Sequence, residues 1–529
     1  MKTSRNSSSD YLFRCLVAAV TFFFIVLAFV VQAAAAQRQE LKTARIKVDS
    51  DRTIGDIDPK IYGNFIEHLG RCIYGGIYDP ASPLADDHGF RKDVIEATRW
   101  LNVTILRWPG GNFASGYHWE DGIGPREARP RRIDLAWGAI EPNLVGTDEY
   151  IQFCRKVGAE PYICINLGTG TWDEARNWVE YCNRESGSHY ADLRRKNGAE
   201  KPHQVTYWAL GNEMDGTWQM GHRSAEDYGK FALEAAKLMK WVDPTIKLVA
   251  CGSSHFGAGW MDWNRTVLSY LRDYADYIAL HTYLGNREND YYTFLARPRD
   301  VDTRIKVTEG LIRETMLQSR RKEPIYIAFD EWNVWYRAGV KEQLEETYNL
   351  EDALVVALFL NTFVRNAHIV KIANMAQLVN VIAPIRADGK GMWLQTIYHP
   401  LYLFANNCAG TSLDVFVDCE TYDVGDYKSV PYLDVSAAYK ADKGELVLNV
   451  VNRHKDKDIE AEVISQEGQF SGKAVVEEVN GPDIKAENSP SEQKVKVSTK
   501  EMAVSGGRLR YRFPAHSFTM IRAKLTGSP

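Results

Sequence analysis

Val205-Thr206-Tyr207-Trp208-Ala209-Leu210-Gly211-Asn212-Glu213 and Pro324-Ile325-Tyr326-Ile327-Ala328-Phe329-Asp330-Glu331 are the stretches whose reading decides the fold. Each is a short apolar run, rich in β-branched and aromatic residues, that stops at a breaker or an acid. Such runs read as strands buried on both faces, the pattern of a parallel sheet. Six more runs behave alike, at 60–67, 103–108, 161–167, 247–251, 277–281 and 369–375. Helical periodicity lies between them. Thr171 and Glu174 form a capping box before Ala175, Trp178, Val179 and Cys182. Ser224 opens a longer helix whose apolar face is Tyr228, Phe231, Ala232, Ala235, Leu238 and Met239, and Asp243-Pro244 stops it. Strand–helix alternation repeated eight times predicts an α/β fold, a (β/α)8 TIM barrel. Glu213 and Glu331 are 118 residues apart. At roughly 30–40 residues per unit, three units separate them, which places them at the ends of the fourth and seventh strands.

Outward from the barrel the pattern changes. Beyond about residue 413, alternating runs such as Leu446-Val447-Leu448-Asn449-Val450-Val451 are punctuated by Asn480-Gly481-Pro482 and Asn488-Ser489-Pro490. Long helices disappear, which predicts a C-terminal all-β sandwich. At the other end, Lys2, Arg5 and Arg14 precede an apolar stretch from Cys15 to Val31 and the cluster Ala33-Ala34-Ala35-Ala36. This is the layout of a secretory signal peptide, with an uncleaved anchor as the alternative. The expected organisation is a signal peptide over 1–36, a strand segment over 37–59 joining the sandwich, a catalytic barrel over 60–405 and the sandwich over 406–529. The expected location is secreted or periplasmic, with no other contact with a membrane.

Composition narrows the class. The 529 residues are 45% hydrophobic and 25% charged, with a net charge of −5. That is a globular balance without the basic footprint of a nucleic-acid-binding protein. Of eight cysteines, seven follow the signal, so at least one is unpaired within the chain. Cys408 and Cys419 are near enough in sequence to bridge after export. No Cys/His spacing suggests a metal site.

Two carboxyls facing each other across a barrel mouth are the equipment for breaking a glycosidic bond, one as acid and one as nucleophile or base. Either glutamate alone reads equally well as an ordinary strand-end residue. The pair on matching strand ends favours function. Several segments then carry a family resemblance: Gly63-Asn64-Phe65-Ile66-Glu67-His68-Leu69-Gly70-Arg71, Leu106-Arg107-Trp108-Pro109-Gly110-Gly111-Asn112-Phe113, Gly211-Asn212-Glu213-Met214-Asp215-Gly216, His281-Thr282-Tyr283, Asp330-Glu331-Trp332-Asn333-Val334-Trp335-Tyr336, Ala376-Gln377-Leu378-Val379-Asn380 and Phe513-Pro514-Ala515-His516-Ser517. In this order they resemble the GH51 α-L-arabinofuranosidases. One departure is Trp108, where tyrosine is commoner, with a changed pocket wall as the expected consequence.

The resemblance implies Glu213 as general acid/base and Glu331 as nucleophile in a retaining, exo-acting hydrolysis of arabinose-containing oligo- or polysaccharides. It implies Glu67, Asn112, Asn212, Tyr283 and Gln377 as substrate-binding residues, with Arg107 and His281 in support. Tyr283 and Arg107 would also steady the nucleophile. Structural alternatives stand beside these roles: Glu67 pairing with Arg71, Asn112 serving a turn, Arg107 an ion pair inside the barrel, Tyr283 and Gln377 as satisfied core polar groups. Trp218, Trp332 and Trp335 are candidates for the pocket wall, and equally for packing. No cofactor or metal is called for, since carboxyls fill both catalytic roles. The resemblance also implies a homo-oligomer, a hexamer. The competing readings are a barrel glycosidase of other specificity, a β-xylosidase or an endo-glucanase, and a catalytically silent carbohydrate-binding protein.

Overall fold

Eight short runs, each buried along almost its whole length, pair in parallel and close on themselves: β1 (Gly63–Phe65), β2 (Ile105–Trp108), β3 (Glu160–Cys164), β4 (Tyr207–Leu210), β5 (Lys247–Ala250), β6 (Tyr277–Leu284), β7 (Tyr326–Val334) and β8 (Val370–Ala376). The computed structural model describes residues 43–527. Strands buried on both faces cannot show polar–apolar alternation, which is why these eight read as continuous apolar runs. Inside the barrel, Ile105, Tyr162, Cys164, Ala209, Val249, Ala279, Ala328 and Ile372 fill the axis. The larger core lies between the strands and the surrounding helices.

Helices begin where their caps place them. Thr171 accepts the Glu174 amide at 3.1 Å at the start of Trp172–Asn183, and Ser224 accepts the Asp227 amide at 3.1 Å at the start of Ala225–Val242. Two strand expectations shift. Residues 60–62 belong to a 3-10 turn, Pro59–Tyr62, because Pro59 presets its first residue and Asp58 caps the Lys60 amide. β7 does not stop at Phe329. It continues beside β6, with Glu331 opposite His281 and Asn333 opposite Tyr283. This register sets Glu331, His281 and Tyr283 side by side.

The β-rich part is one hydrogen-bonded series of nine strands, in the order 496–503, 469–480, 517–526, 445–452, 433–440, 411–418, 44–56, 459–465, 508–513. Ala44–Asp56 thus lies in this sheet, antiparallel to Thr411–Asp418 and parallel to Ile459–Ser465. Helix Leu350–Arg365 packs on β7 on one side and on strands of this sheet on the other. That explains a helix buried from Leu350 to Val364 with no polar face.

Cys408 and Cys419, whose pairing the sequence leaves open, are not bridged. Both thiols are free, and Cys408 is buried where it contacts the Asn449 amide. No helix among the described residues is long and apolar enough to cross a membrane. The predicted signal peptide lies outside the described residues.

Candidate active site

The C-terminal ends of the strands bring every predicted site residue to one mouth. Glu67 follows β1, Arg107 lies on β2, Asn112 starts the turn after it, and Asn212 and Glu213 follow β4. His281 and Tyr283 lie on β6, Glu331 on β7, and Gln377 directly after β8. A cavity of about 290 Å³ opens there, lined among others by Glu67, Asn112, Glu213, Tyr283, Glu331 and Gln377. Gly111 lies in its wall, and a methyl group there would make ordinary contacts with Glu331 Oε2, Asn212 Nδ2 and Glu67 Oε2.

The two catalytic candidates differ in their partners. Glu331 accepts Arg107 Nη1 at 2.8 Å and Tyr283 Oη at 2.8 Å, donors that suit a carboxylate. Glu213 faces His281 Nδ1 at 3.0 Å and accepts Trp218 Nε1 at 2.8 Å. Burial first, then the negative Glu331, hold Glu213 above the usual carboxylate range. Its backbone is left-handed, φ +48°, a conformation rare for glutamate and at home in functional sites. One carboxylate oxygen of Glu213, one of Glu331 and a ring nitrogen of His281 all lie within 4.8 Å of one another.

Behind this pair sits a buried network. Arg107 also donates to Asn212 Oδ1 at 2.6 Å and lies 3.5 Å from Asp330. Asp330 accepts Tyr162 Oη at 2.7 Å and contacts His281 Nε2 at 3.2 Å. Burial alone would lower the His281 pKa, but Glu331, Asp330 and Glu213 outweigh it and hold the imidazole up, at about 10. Burial would raise Asp330, yet Arg107, His281 and Tyr162 bring it below its ordinary value. Glu67 is pushed up to about 8, by burial first and by the Glu331 charge second. Four buried acids thus face two cations. The site is neutral when Glu213 and Glu67 carry protons.

Contacts bear on some of the alternatives weighed from sequence. Glu67 does not pair with Arg71, which is taken by Glu345 at 2.6 Å. Glu67 instead accepts the Phe113 amide, Trp137 Nε1 at 3.0 Å and Gln377 Nε2 at 3.1 Å. Asn212 Nδ2 and Gln377 Oε1 are buried without a protein partner, free to meet a ligand. Trp218 and Trp335 line the cavity. Trp332 does not: strand alternation turns it away from Glu331 onto Phe359 and Phe363. Trp108 also stands behind the wall rather than in it, stacked on Tyr150 with its Nε1 on His68 Nε2 at 3.1 Å. Sequence reasoning missed the roles of Trp137 and Asp330. Asp330 was visible as the acid before Glu331. Trp137 sits in the hairpin Arg132–Ile133/Ile140–Glu141, which no periodicity announces.

Comparison with known proteins follows this geometry. Residues 97–299 match the α-L-arabinofuranosidase 1 domain, and residues 330–517 match the α-L-arabinofuranosidase C-terminal domain. An intracellular exo-α-(1→5)-L-arabinofuranosidase 1 of Bacillus subtilis is 45% identical over 92% of this chain and 99% of its own. The chain belongs to the GH51 α-L-arabinofuranosidase family. The crystal structure of the α-L-arabinofuranosidase from Thermotoga maritima in complex with arabinose superposes with a TM-score of 0.86, at 40% identity, covering 91% of this chain and 100% of that one. As a GH51 member the protein is a glycoside hydrolase. The comparison also overturns one expectation. The Bacillus subtilis relative and one of Halalkalibacterium halodurans, 43% identical over 91% of this chain and 99% of its own, are both named intracellular, so the expected signal peptide and secreted or periplasmic location are not upheld.

Proposed function

We propose that this GH51 α-L-arabinofuranosidase removes terminal arabinofuranosyl groups by retaining double displacement, with Glu331 as nucleophile and Glu213 as acid/base. The observation that carries the reading is the approach of the two carboxyls within 4.8 Å in one small pocket. Retaining enzymes hold their carboxyls about 5 Å apart, whereas inverting enzymes leave room for a water between them. In the first step a Glu331 oxygen attacks the anomeric carbon while Glu213 protonates the departing glycosidic oxygen. The C1–O bond breaks and an arabinosyl ester forms on Glu331. That ester removes the negative charge which helps hold the Glu213 proton. Glu213, now a carboxylate, takes a proton from water as that water attacks the anomeric carbon, and the C1–O bond to Glu331 breaks, releasing arabinose and the Glu331 carboxylate.

Glu67, Asn112, Asn212 and Gln377 hold the sugar hydroxyls in this reading, and Tyr283 and Arg107 orient the nucleophile. The unpaired amide atoms of Asn212 and Gln377 support it. A site built to pair hydroxyls rejects sugars lacking a partner. A pocket of about 290 Å³ suits a terminal pentosyl unit rather than the middle of a chain. The relatives' names favour α-1,5-linked arabinosyl groups. The same reading assigns 60–405 as the catalytic unit, 37–59 and 406–529 as the β-rich domain that braces it, and a hexamer in solution, for which light scattering would return six times the chain mass.

Proton NMR of the reaction on linear arabino-oligosaccharides and arabinoxylan tests the proposal. The α-anomer of arabinose should appear first and mutarotate later. Initial release of the β-anomer, or of xylose, would refute it.

A further inference from the structure

A second cavity, of about 320 Å³, lies beside the catalytic pocket and shares no lining residue with it. Phe113, Tyr117, His118, Asp121, Arg132, Asp134, Glu141 and Asn143 contribute to its wall. The hairpin that carries Trp137 into the catalytic pocket also supplies Arg132, Asp134 and Glu141 here.

The charged groups in this cavity are already hydrogen-bonded within the protein. Asp121 holds Arg132 at 2.8 Å and 3.0 Å. Glu141 holds His68 Nδ1 at 2.8 Å, and its other oxygen accepts the Asn143 amide at 2.7 Å as well as the Tyr74 hydroxyl. Asp134 accepts the Ala136 amide at 2.8 Å and the Trp137 amide at 3.3 Å. What is left over is neutral and polar: Tyr117 Oη and Asn143 Oδ1 are buried without a protein hydrogen-bond partner. Tyr117 is 5% exposed and Asn143 1%. Gly122 makes room for the tyrosine hydroxyl, since a methyl group there would lie 2.2 Å from it. Buried polar atoms without partners are few in native proteins, and two in the wall of one cavity point to a ligand. Ile133 and Leu135, both exposed on this hairpin, add apolar surface to the wall.

We propose that this cavity is an accessory subsite for a neutral pentose ring, either free product or a unit of the polymer chain. The choice of sugar rests on the arabinofuranosidase reading; the existence of a neutral, polar subsite does not. Occupancy would bear on catalysis through the hairpin, since Asp134 holds the backbone of Trp137, whose indole binds Glu67.

Calorimetric titration of the whole enzyme with L-arabinose and, separately, with xylotriose tests this. Tyr117→Phe is the informative variant, because the hydroxyl it removes bonds nothing in the protein. His118→Ala is a second, at a side chain 47% exposed on this wall. The expected result is a binding event beyond the catalytic pocket, weakened at least about five-fold in either variant. Hydrolysis of 4-nitrophenyl α-L-arabinofuranoside should stay within about two-fold of wild type. Second-site binding of arabinose marks the free product as ligand, and second-site binding of xylotriose marks the chain. A single site per chain for arabinose with none for xylotriose, or second-site affinity unchanged in both variants, would overturn the subsite. Failure of the wild type to cleave the nitrophenyl arabinoside would reject the catalytic reading while leaving the titration readable.

Discussion

Two buried charge clusters in this protein use the same kinds of side chain to opposite ends. At the barrel mouth, Glu67, Glu213, Asp330 and Glu331 face Arg107 and His281, so acids outnumber cations. Between the barrel helix Leu350–Arg365 and the β-rich sheet, one acid faces two cations. Asp434 holds Arg365 at 2.8 Å, Arg453 at 2.9 Å and Asn361 at 2.8 Å. Burial alone would raise the Asp434 pKa, but the two guanidiniums bring it down to about 2. The first cluster holds two of its acids, Glu67 and Glu213, above the usual carboxylate range and leaves amide atoms unpaired, whereas the second is satisfied. An excess of buried acid is unfavourable for the empty fold, and it persists where a reaction uses it.

The largest expected effect breaks the first cluster at its nucleophile. Glu331→Ala should lower kcat by about 10⁴-fold or more. Retained turnover would mean that another group attacks. Glu213→Ala should lose about 10²–10⁴-fold on arabino-oligosaccharides and far less on 4-nitrophenyl arabinofuranoside, whose leaving group needs little protonation. Equal losses on both would move the acid role elsewhere.

The second cluster should respond in stability alone. Asp434→Ala should destabilise by about 3 kcal/mol, because it leaves two guanidiniums facing each other, Arg453 among them buried. Urea unfolding measures this, and kcat in folded protein should not change. The sign with pH follows from the lowered pKa. The contribution of Asp434 is present above the unfolded value near 4 and is lost as pH falls from about 4 towards 2.

The smallest effect sharpens the contrast by reversing it. Glu67 sits at about 8 in the fold, above its unfolded value. Between roughly pH 4.3 and 8 the unfolded chain releases this proton and the folded chain does not, so Glu67 lowers stability as pH rises through that window. Glu67→Gln should therefore raise stability at pH 8, on the order of 1 kcal/mol, with little change at pH 4, while weakening kcat/KM. A lower melting temperature at pH 8 would show Glu67 to be a structural acid.

Strand positions were readable because a parallel barrel strand is buried on both faces and leaves a continuous apolar run. Each of the eight runs found in the sequence overlaps a barrel strand. Boundaries were less readable, since β7 and β6 extend only by pairing with each other past Phe329 and His281.

By itself the sequence determined the barrel, the β-rich partner and the spacing that sends Glu213 and Glu331 to the same end of it. These follow from local periodicity, which each segment carries alone. The tertiary structure decided which neighbours reach those two carboxyls. Arg107 spans from β2 to Glu331, His281 lies between the two glutamates, and a hairpin some seventy residues beyond Glu67 returns Trp137 to it. Such contacts depend on chain segments meeting across space, and no window of sequence records them.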